Sequence, residues 1–198
     1  MYAEVKLYFI LFIVYSFIGW IIETSDVWIE EKQLMNRGFL FGPFCPIYGV
    51  CSVVMILLLK NVKNLFTLYI LCVLICTAAE YATGSIMEKI FNAKWWDYSK
   101  NKFNIKGRIC LRNCLLFGLA GFLLIRFVNV YVLNIIHKIN PDALNIIFYT
   151  LFIVFIIDFG TSIRIINSNK MLLSTKKDQT AKIANIKSKQ IRKLTRRK

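Results

Sequence analysis

Apolar residues run through this chain in blocks too long and too continuous for half-buried strands. Five of them come close to or exceed the roughly 20 residues that carry a helix across about 30 Å of hydrocarbon at about 1.5 Å per residue. They are Leu7 to Thr24, Gly42 to Leu59, Leu65 to Glu88, Ile109 to Ile136 and Leu144 to Ile166. The pattern predicts an all-α fold: a polytopic transmembrane helical bundle of about five spans over residues 1–167, followed by a basic tail over residues 168–198. Lys6 gives the first block the look of a signal peptide. No small-residue cleavage site follows it before the acidic stretch Glu23 to Glu31, so the block is read as a mature span.

Two stretches interrupt the apolar pattern. MNRGFLFGPFCPIYG, Met35 to Gly49, packs three glycines and two prolines into one short window. These residues permit positive φ and forbid a regular helix, so the backbone bends or re-enters before the second span begins. Irregular backbone at membrane depth survives only where it is buried in protein or lines a wet cavity; a structured turn and a binding loop are both open. The second stretch, Glu80 to Leu111, leaves an apolar helix carrying two carboxylates, crosses Trp95 and Trp96 beside Asp97 and Tyr98, passes several lysines and re-enters apolar sequence at Gly107 to Ile109. Just before it, the third span turns small and polar at Thr77, Ala78, Ala79, Glu80, Thr83, Gly84 and Ser85, which is a helix-packing face. Glu80 on or beside that face has to be protonated or paired with a cation.

Composition supports a membrane class: 57% hydrophobic and 15% aromatic residues in a chain of 198 exceed what a single soluble core of that size hides. Charge orients it. From Ser168 to Lys198 eleven Lys or Arg face Asp178 alone, so the tail holds net +10 of the chain's +15. The positive-inside rule puts that tail in the cytoplasm, and five spans then put the amino terminus outside. The loops so assigned inside carry eight basic residues against four outside. In the tail, Ile183, Ile186, Ile191 and Leu194 fall on one helical arc, which suits a weak amphipathic helix on anionic lipid. Solvated disorder is the alternative, and nucleic-acid binding is disfavoured because no aromatic residue interleaves the charges.

Candidate chemistry follows from ionisable groups inside or near the spans, each of which needs a partner or a use. Glu23, Glu80, Glu88, Asp97 and Asp158 are candidates for a substrate or ion path, with Glu23 open also to snorkelling or lysine pairing. By depth, Arg126 at about 14 Å and Asp158 at about 23 Å from the outer ends are expected to form a salt bridge. Asn36, Arg37, Gly38, Pro43, Pro46, Tyr48, Trp95, Trp96, Tyr98, Asn104 and Arg108 form a candidate loop site, for which capping, interfacial anchoring and simple loop stabilisation are the plainer roles. Cys45, Cys51, Cys72, Cys76, Cys110 and Cys114 form no CxxC pair and are read as small packing residues. The lone His137 is read as a surface residue. No metal site and no cofactor is assigned.

GWIIE at Gly19 to Glu23, NRGFLFGPFCPIYG at Asn36 to Gly49, and WWDYS with FNIKGRICL between Trp95 and Leu111 together resemble the bacterial putative ABC-transporter permease family, CmpB-like or type IV. The resemblance extends roughly to Gly118. It departs from the family pattern at Lys102, where a proline is usual, and at Cys114 and Phe117, where serine and tryptophan are usual. It implies a multi-pass protein of the bacterial cell membrane with a transport role and names no substrate. The chain has no GxxxxGK[ST] phosphate loop, so the resemblance calls for a separate ATPase subunit, and five spans suit a homo-oligomer or a second subunit. An enzyme acting on a lipid headgroup, with Asp97 or Glu88 as base and Arg108 holding phosphate, is a second reading. It lacks a placed nucleophile and a metal cluster, so a non-enzyme is favoured. A scaffold that recruits a partner through its loops and tail is a third.

Overall fold

Helices form in all five apolar blocks of the computed structural model, which describes residues 2–32, 38–91 and 94–168. They are α1 (Tyr2–Glu31), α2 (Pro46–Leu59), α3 (Leu65–Phe91), α4 (Leu111–Leu123) continued through a π-helical turn (Leu124–Val128) into α5 (Asn129–His137), and α6 (Pro141–Ser168). Four helical stretches, Glu4–Asp26, Leu65–Phe91, Leu111–His137 and Pro141–Ser168, are long and apolar enough to cross a membrane. The bundle is a polytopic transmembrane one. Asn36, Arg37 and the basic tail lie outside the described residues.

The expected second span is shorter than its apolar block. It has 14 helical residues, or about 21 Å at about 1.5 Å per residue, because the backbone from Gly38 to Cys45 is not helical. The prolines explain the boundary. Cys45 is extended (φ −112°, ψ 91°), as a residue preceding proline prefers, and Pro46 opens the helix where a missing N–H leaves no bond unmade. The starts of α3 and α6 are capped by side chains: Asn64 Oδ1 accepts the Thr67 N–H at 2.9 Å, and Asn140 Oδ1 accepts the Asp142 N–H at 2.9 Å.

The irregular segment runs into the bundle. Leu40 is 0% exposed, Gly38 and Cys45 are buried, and the Cys45 N–H donates to the Ser16 carbonyl at 2.9 Å. Ser16 lies eight residues before Thr24, the expected end of the first span, so the chain descends about 12 Å before α2 starts. Phe39 anchors the descent among the rings of Phe91, Trp95 and Phe159.

Packing follows chain order, with α1 on α2, α2 on α3, α3 on α4, and α6 on α1. Met55, Leu59, Leu68, Cys72 and Cys76 fill the seam of α2 and α3. Phe9 and Phe12 interlock edge-on with Phe148, Phe152 and Phe155 along α1 and α6. α6 touches the bundle along one edge, and its Ile146, Ile153, Ile156 and Ile157 point outward as a lipid-facing surface does. All six cysteines are unbridged, and five are buried. A short antiparallel hairpin, β1 (Asn104–Ile105) and β2 (Ile109–Cys110), closes through Lys106, Gly107 and Arg108; the first two are at positive φ (53° and 68°), as the centre of a type I′ turn requires, and the Arg108 N–H donates to the Ile105 carbonyl at 3.0 Å.

α1 and α2 approach closely because glycines face the contact. A β-carbon on Gly49 would collide with the Ser16 hydroxyl and the Phe12 carbonyl, and one on Gly19 with the Tyr48 ring. Gly49→Val should therefore wedge the two helices apart at a cost of about 1 to 3 kcal/mol. A lower melting midpoint in detergent is the expected result, and an unchanged midpoint would refute this close approach.

Candidate functional site

Three acidic side chains near the end of the bundle where α1 finishes and α4 begins are held in three different ways. Glu88, on the last turns of α3, is neutralised. Arg108 Nε and Nη2 both donate to its Oε2, at 3.0 and 2.8 Å, while Nη1 donates to the Tyr81 hydroxyl at 3.2 Å and the guanidinium lies 5.3 Å from the Tyr81 ring centre. The Trp96 indole N–H fixes the same residue from behind by donating to the Arg108 carbonyl at 2.8 Å.

Asp158, on α6, has no cation among the described residues. Its Oδ1 accepts the Phe41 N–H at 2.9 Å and the Ser162 hydroxyl at 3.2 Å, and its Oδ2 accepts the Gly42 N–H at 2.9 Å. The expected salt bridge to Arg126 is not formed among the described residues. Arg126 is exposed on the π-helical turn, and the carboxylate is committed to the irregular segment. A depth difference that a long arginine can span says nothing of the direction each side chain faces.

Glu80 differs from both. It is 4% exposed, and its Oε2 has no hydrogen-bond partner among the described residues. The Tyr98 hydroxyl stands beside it, and the Glu23 carboxylate of α1 is within electrostatic reach. Glu23 Oε1 accepts the Tyr48 hydroxyl of α2 at 2.6 Å. Tyr98 in turn faces Asn113 on α4; burial pushes its phenol up, and the carboxylates of Glu80 and Glu23 act in the same direction. Four helices and one loop thus bring two carboxylates, two phenols and an amide to one point. The Cys76 thiol lies on the deeper side, 3.6 Å from the Phe117 carbonyl and 4.0 Å from Met55 Sδ.

The loop from Lys94 to Cys110 supports this cluster. Tyr98 is gripped by its own backbone, donating to the Gly107 carbonyl at 2.8 Å and accepting from the Asn101 N–H at 2.8 Å. Asn104 knots the turn through the Ser99 and Asn101 carbonyls and the Gly107 N–H. Asp97 is 49% exposed and accepts the Ser99 N–H at 3.0 Å. Partial burial opposes its ionisation, but the Ser99 hydroxyl and N–H and the nearby Lys94 outweigh that and hold its carboxyl below the usual range. Asp97, Glu88 and Arg108 therefore do not converge on a vacant spot, which removes the geometry of a headgroup-cleaving centre built from them.

Of the remaining loop residues, Trp95 is buried against Phe91 and Phe39, Gly38 is buried, Pro43 is exposed, and Pro46 starts α2. The two irregular stretches meet through Phe39 on Trp95, with ring centres 6.2 Å apart, and through Tyr48 beside Tyr98. Sequence reasoning missed Asn113, Tyr81 and Ser162. A polar residue one turn into an apolar span was the available signal for Asn113.

A family model described as Putative ABC-transporter type IV matches residues 10–163. No curated protein and no solved structure matches the chain.

Charged hydrogen bonds are worth about 1.5 to 3 kcal/mol each, so Asp158→Ala should free the Phe41 and Gly42 amides. Hydrogen exchange at those two amides is expected to speed up by at least about tenfold, with the middle of α3 unchanged. Unchanged protection at Phe41 and Gly42 would show that Asp158 does not hold the segment.

Proposed function

Because the chain belongs to the Putative ABC-transporter type IV family, we propose that it is a permease-like membrane subunit whose Glu80, Glu23, Tyr48 and Tyr98 form a proton- or cation-binding site toward the cytoplasmic side. The observation that carries this reading is the unpartnered oxygen of Glu80, buried beside a second carboxylate. A bare carboxylate at this depth is expensive unless a proton or a cation neutralises it. Its neighbours supply oxygens rather than cations: two phenols, an amide and Glu23. Such a set suits a proton or a small hard cation better than an anion.

The basic tail and the charge bias of the loops support a cytoplasmic setting for this end of the bundle. A cytoplasmic setting puts the hairpin and the start of the irregular segment where a separate ATPase subunit would dock. ATP is then hydrolysed on that partner, and movement of the loop carrying Tyr98 relays the change to Glu80. No substrate is assigned.

A hydrophobic carbodiimide tests the site, since it modifies carboxyl groups that hold a proton within membrane protein. Glu80 is expected to be labelled in native membranes, Glu88 to be spared by its arginine, and labelling to disappear in Glu80→Gln. Protection of Glu80 by added sodium, potassium or a divalent ion would identify a cation as the occupant, and protection by none would identify the proton. Failure to label Glu80 in the absence of those ions would refute the site. For the permease role, the tagged full chain should copurify from its own membrane with a protein carrying a GxxxxGK[ST] loop; repeated purification without one would count against it.

A further inference from the structure

At the hairpin end of the bundle Arg108 is engaged by Glu88 and Lys94 by Asp97. Lys102 and Arg112 are not: among the described residues neither has an ion pair or a hydrogen bond, and both are exposed. They line one open cavity of about 380 Å³ together with Asn101, Phe103, Leu111 and Leu115. Apart from Asn101, the other walls are apolar. Leu111 and Leu115 are one turn apart on α4, 49% and 43% exposed, and Phe103 is 79% exposed on a backbone at positive φ (52°). Leu111 begins a helix of membrane-crossing length, so this cavity lies where headgroups give way to acyl chains.

From this juxtaposition we propose that the cavity binds an anionic phospholipid, its phosphate between Lys102 and Arg112 and the start of its acyl chains against Leu111, Leu115 and Phe103. The charge complementarity is specific to a ligand with both parts. A free phosphate would leave the leucines and the phenylalanine uncovered, and a zwitterionic lipid would bring its own cation against two others. Arginine and lysine stems also cover apolar surface while their charged ends reach the headgroup level, as this geometry requires. The site is separate from the Glu80 cluster and from the tail, and it does not depend on the transport reading.

The test uses the delipidated full chain in nonionic detergent, titrated by native mass spectrometry with phosphatidylglycerol or phosphatidylcholine of matched chains. Phosphatidylglycerol is expected to be retained preferentially, and each of Lys102→Gln and Arg112→Gln to weaken its retention about fivefold. Lys60→Gln with Lys63→Gln, at the opposite end, should leave retention unchanged, and Leu115→Ser should weaken it. All these side chains are exposed, and the melting midpoint without lipid checks that each variant is folded. Equal retention of the two lipids, or full retention by the Lys102→Gln, Arg112→Gln double variant, would overturn the proposal and leave the tail as the source of any attraction. Complete displacement by inorganic phosphate, with no effect of Leu115→Ser, would overturn it in favour of a free anion.

Discussion

A peptide group that faces hydrocarbon without a hydrogen bond costs several kcal/mol, and for that reason spans are ordinarily helical throughout. The segment from Gly38 to Cys45 breaks that rule inside the bundle, and the structure is arranged around satisfying it. Asp158 meets two consecutive amides with its two oxygens, Ser162 steadies the carboxylate, and Ser16 receives the Cys45 N–H. One acidic side chain in α6 thus does for this segment what the next turn of helix would have done. α6 touches the rest of the bundle along one narrow edge, so this contact also fixes where α6 sits.

A half-depth start for α2 has a consequence for chemistry. Where a full helix would have filled the space between α1 and α3 with apolar side chains, the first turn of α2 instead supplies Tyr48, and Tyr98 enters from the loop. Room is made by Gly19, against which the Tyr48 ring lies. The polar cluster is therefore a product of the irregular segment and not merely adjacent to it. The contrast among the carboxylates separates Glu80 from the other two more sharply than their number does. Glu88 has an arginine, Asp158 has two backbone amides, and Glu80 has an oxygen without a partner among the described residues. Structural carboxylates are satisfied, and a group left unsatisfied in a buried position is the one available to a ligand.

Much of this was legible in the residues. Apolar block lengths located the last three blocks' helices to within three residues, although α1 runs five residues before and seven beyond its block, and the proline and glycine run identified the irregular segment, because both depend on local properties of the chain. Glu80 stood out for the same reason, as a charge among small residues. Direction was not legible. Arg126 and Asp158 were paired from depth alone, a single coordinate along the membrane normal, whereas contact also depends on which way each helix turns its face; the π-helical turn directs Arg126 outward. Arg108 and Asp97 were grouped as phosphate holder and base of a candidate headgroup enzyme. Their separate partners, Glu88 and Ser99, follow from a type I′ turn whose geometry was not read from Lys106 and Gly107.

That turn also changes what the loop residues mean. Asp97, Asn104 and Gly107 look like a cluster of functional groups when read along the chain, but their hydrogen bonds go to one another and to nearby backbone. What they hold in place is Tyr98, whose N–H and carbonyl are both bound within the loop while its side chain reaches to Glu80 and Asn113. The loop therefore acts as a bracket. It holds one phenol beside Glu80 and Asn113 of the adjoining helices, and it ties the position of that phenol to a hairpin standing outside the span. The hairpin has only two residues per strand, whereas α2 and α3 are joined along a packed seam, so a force on the hairpin would move Tyr98 relative to Glu80 before it separated those two helices. The link between surface and buried carboxylate is thus short, covalent for most of its length, and independent of any rearrangement of the apolar core.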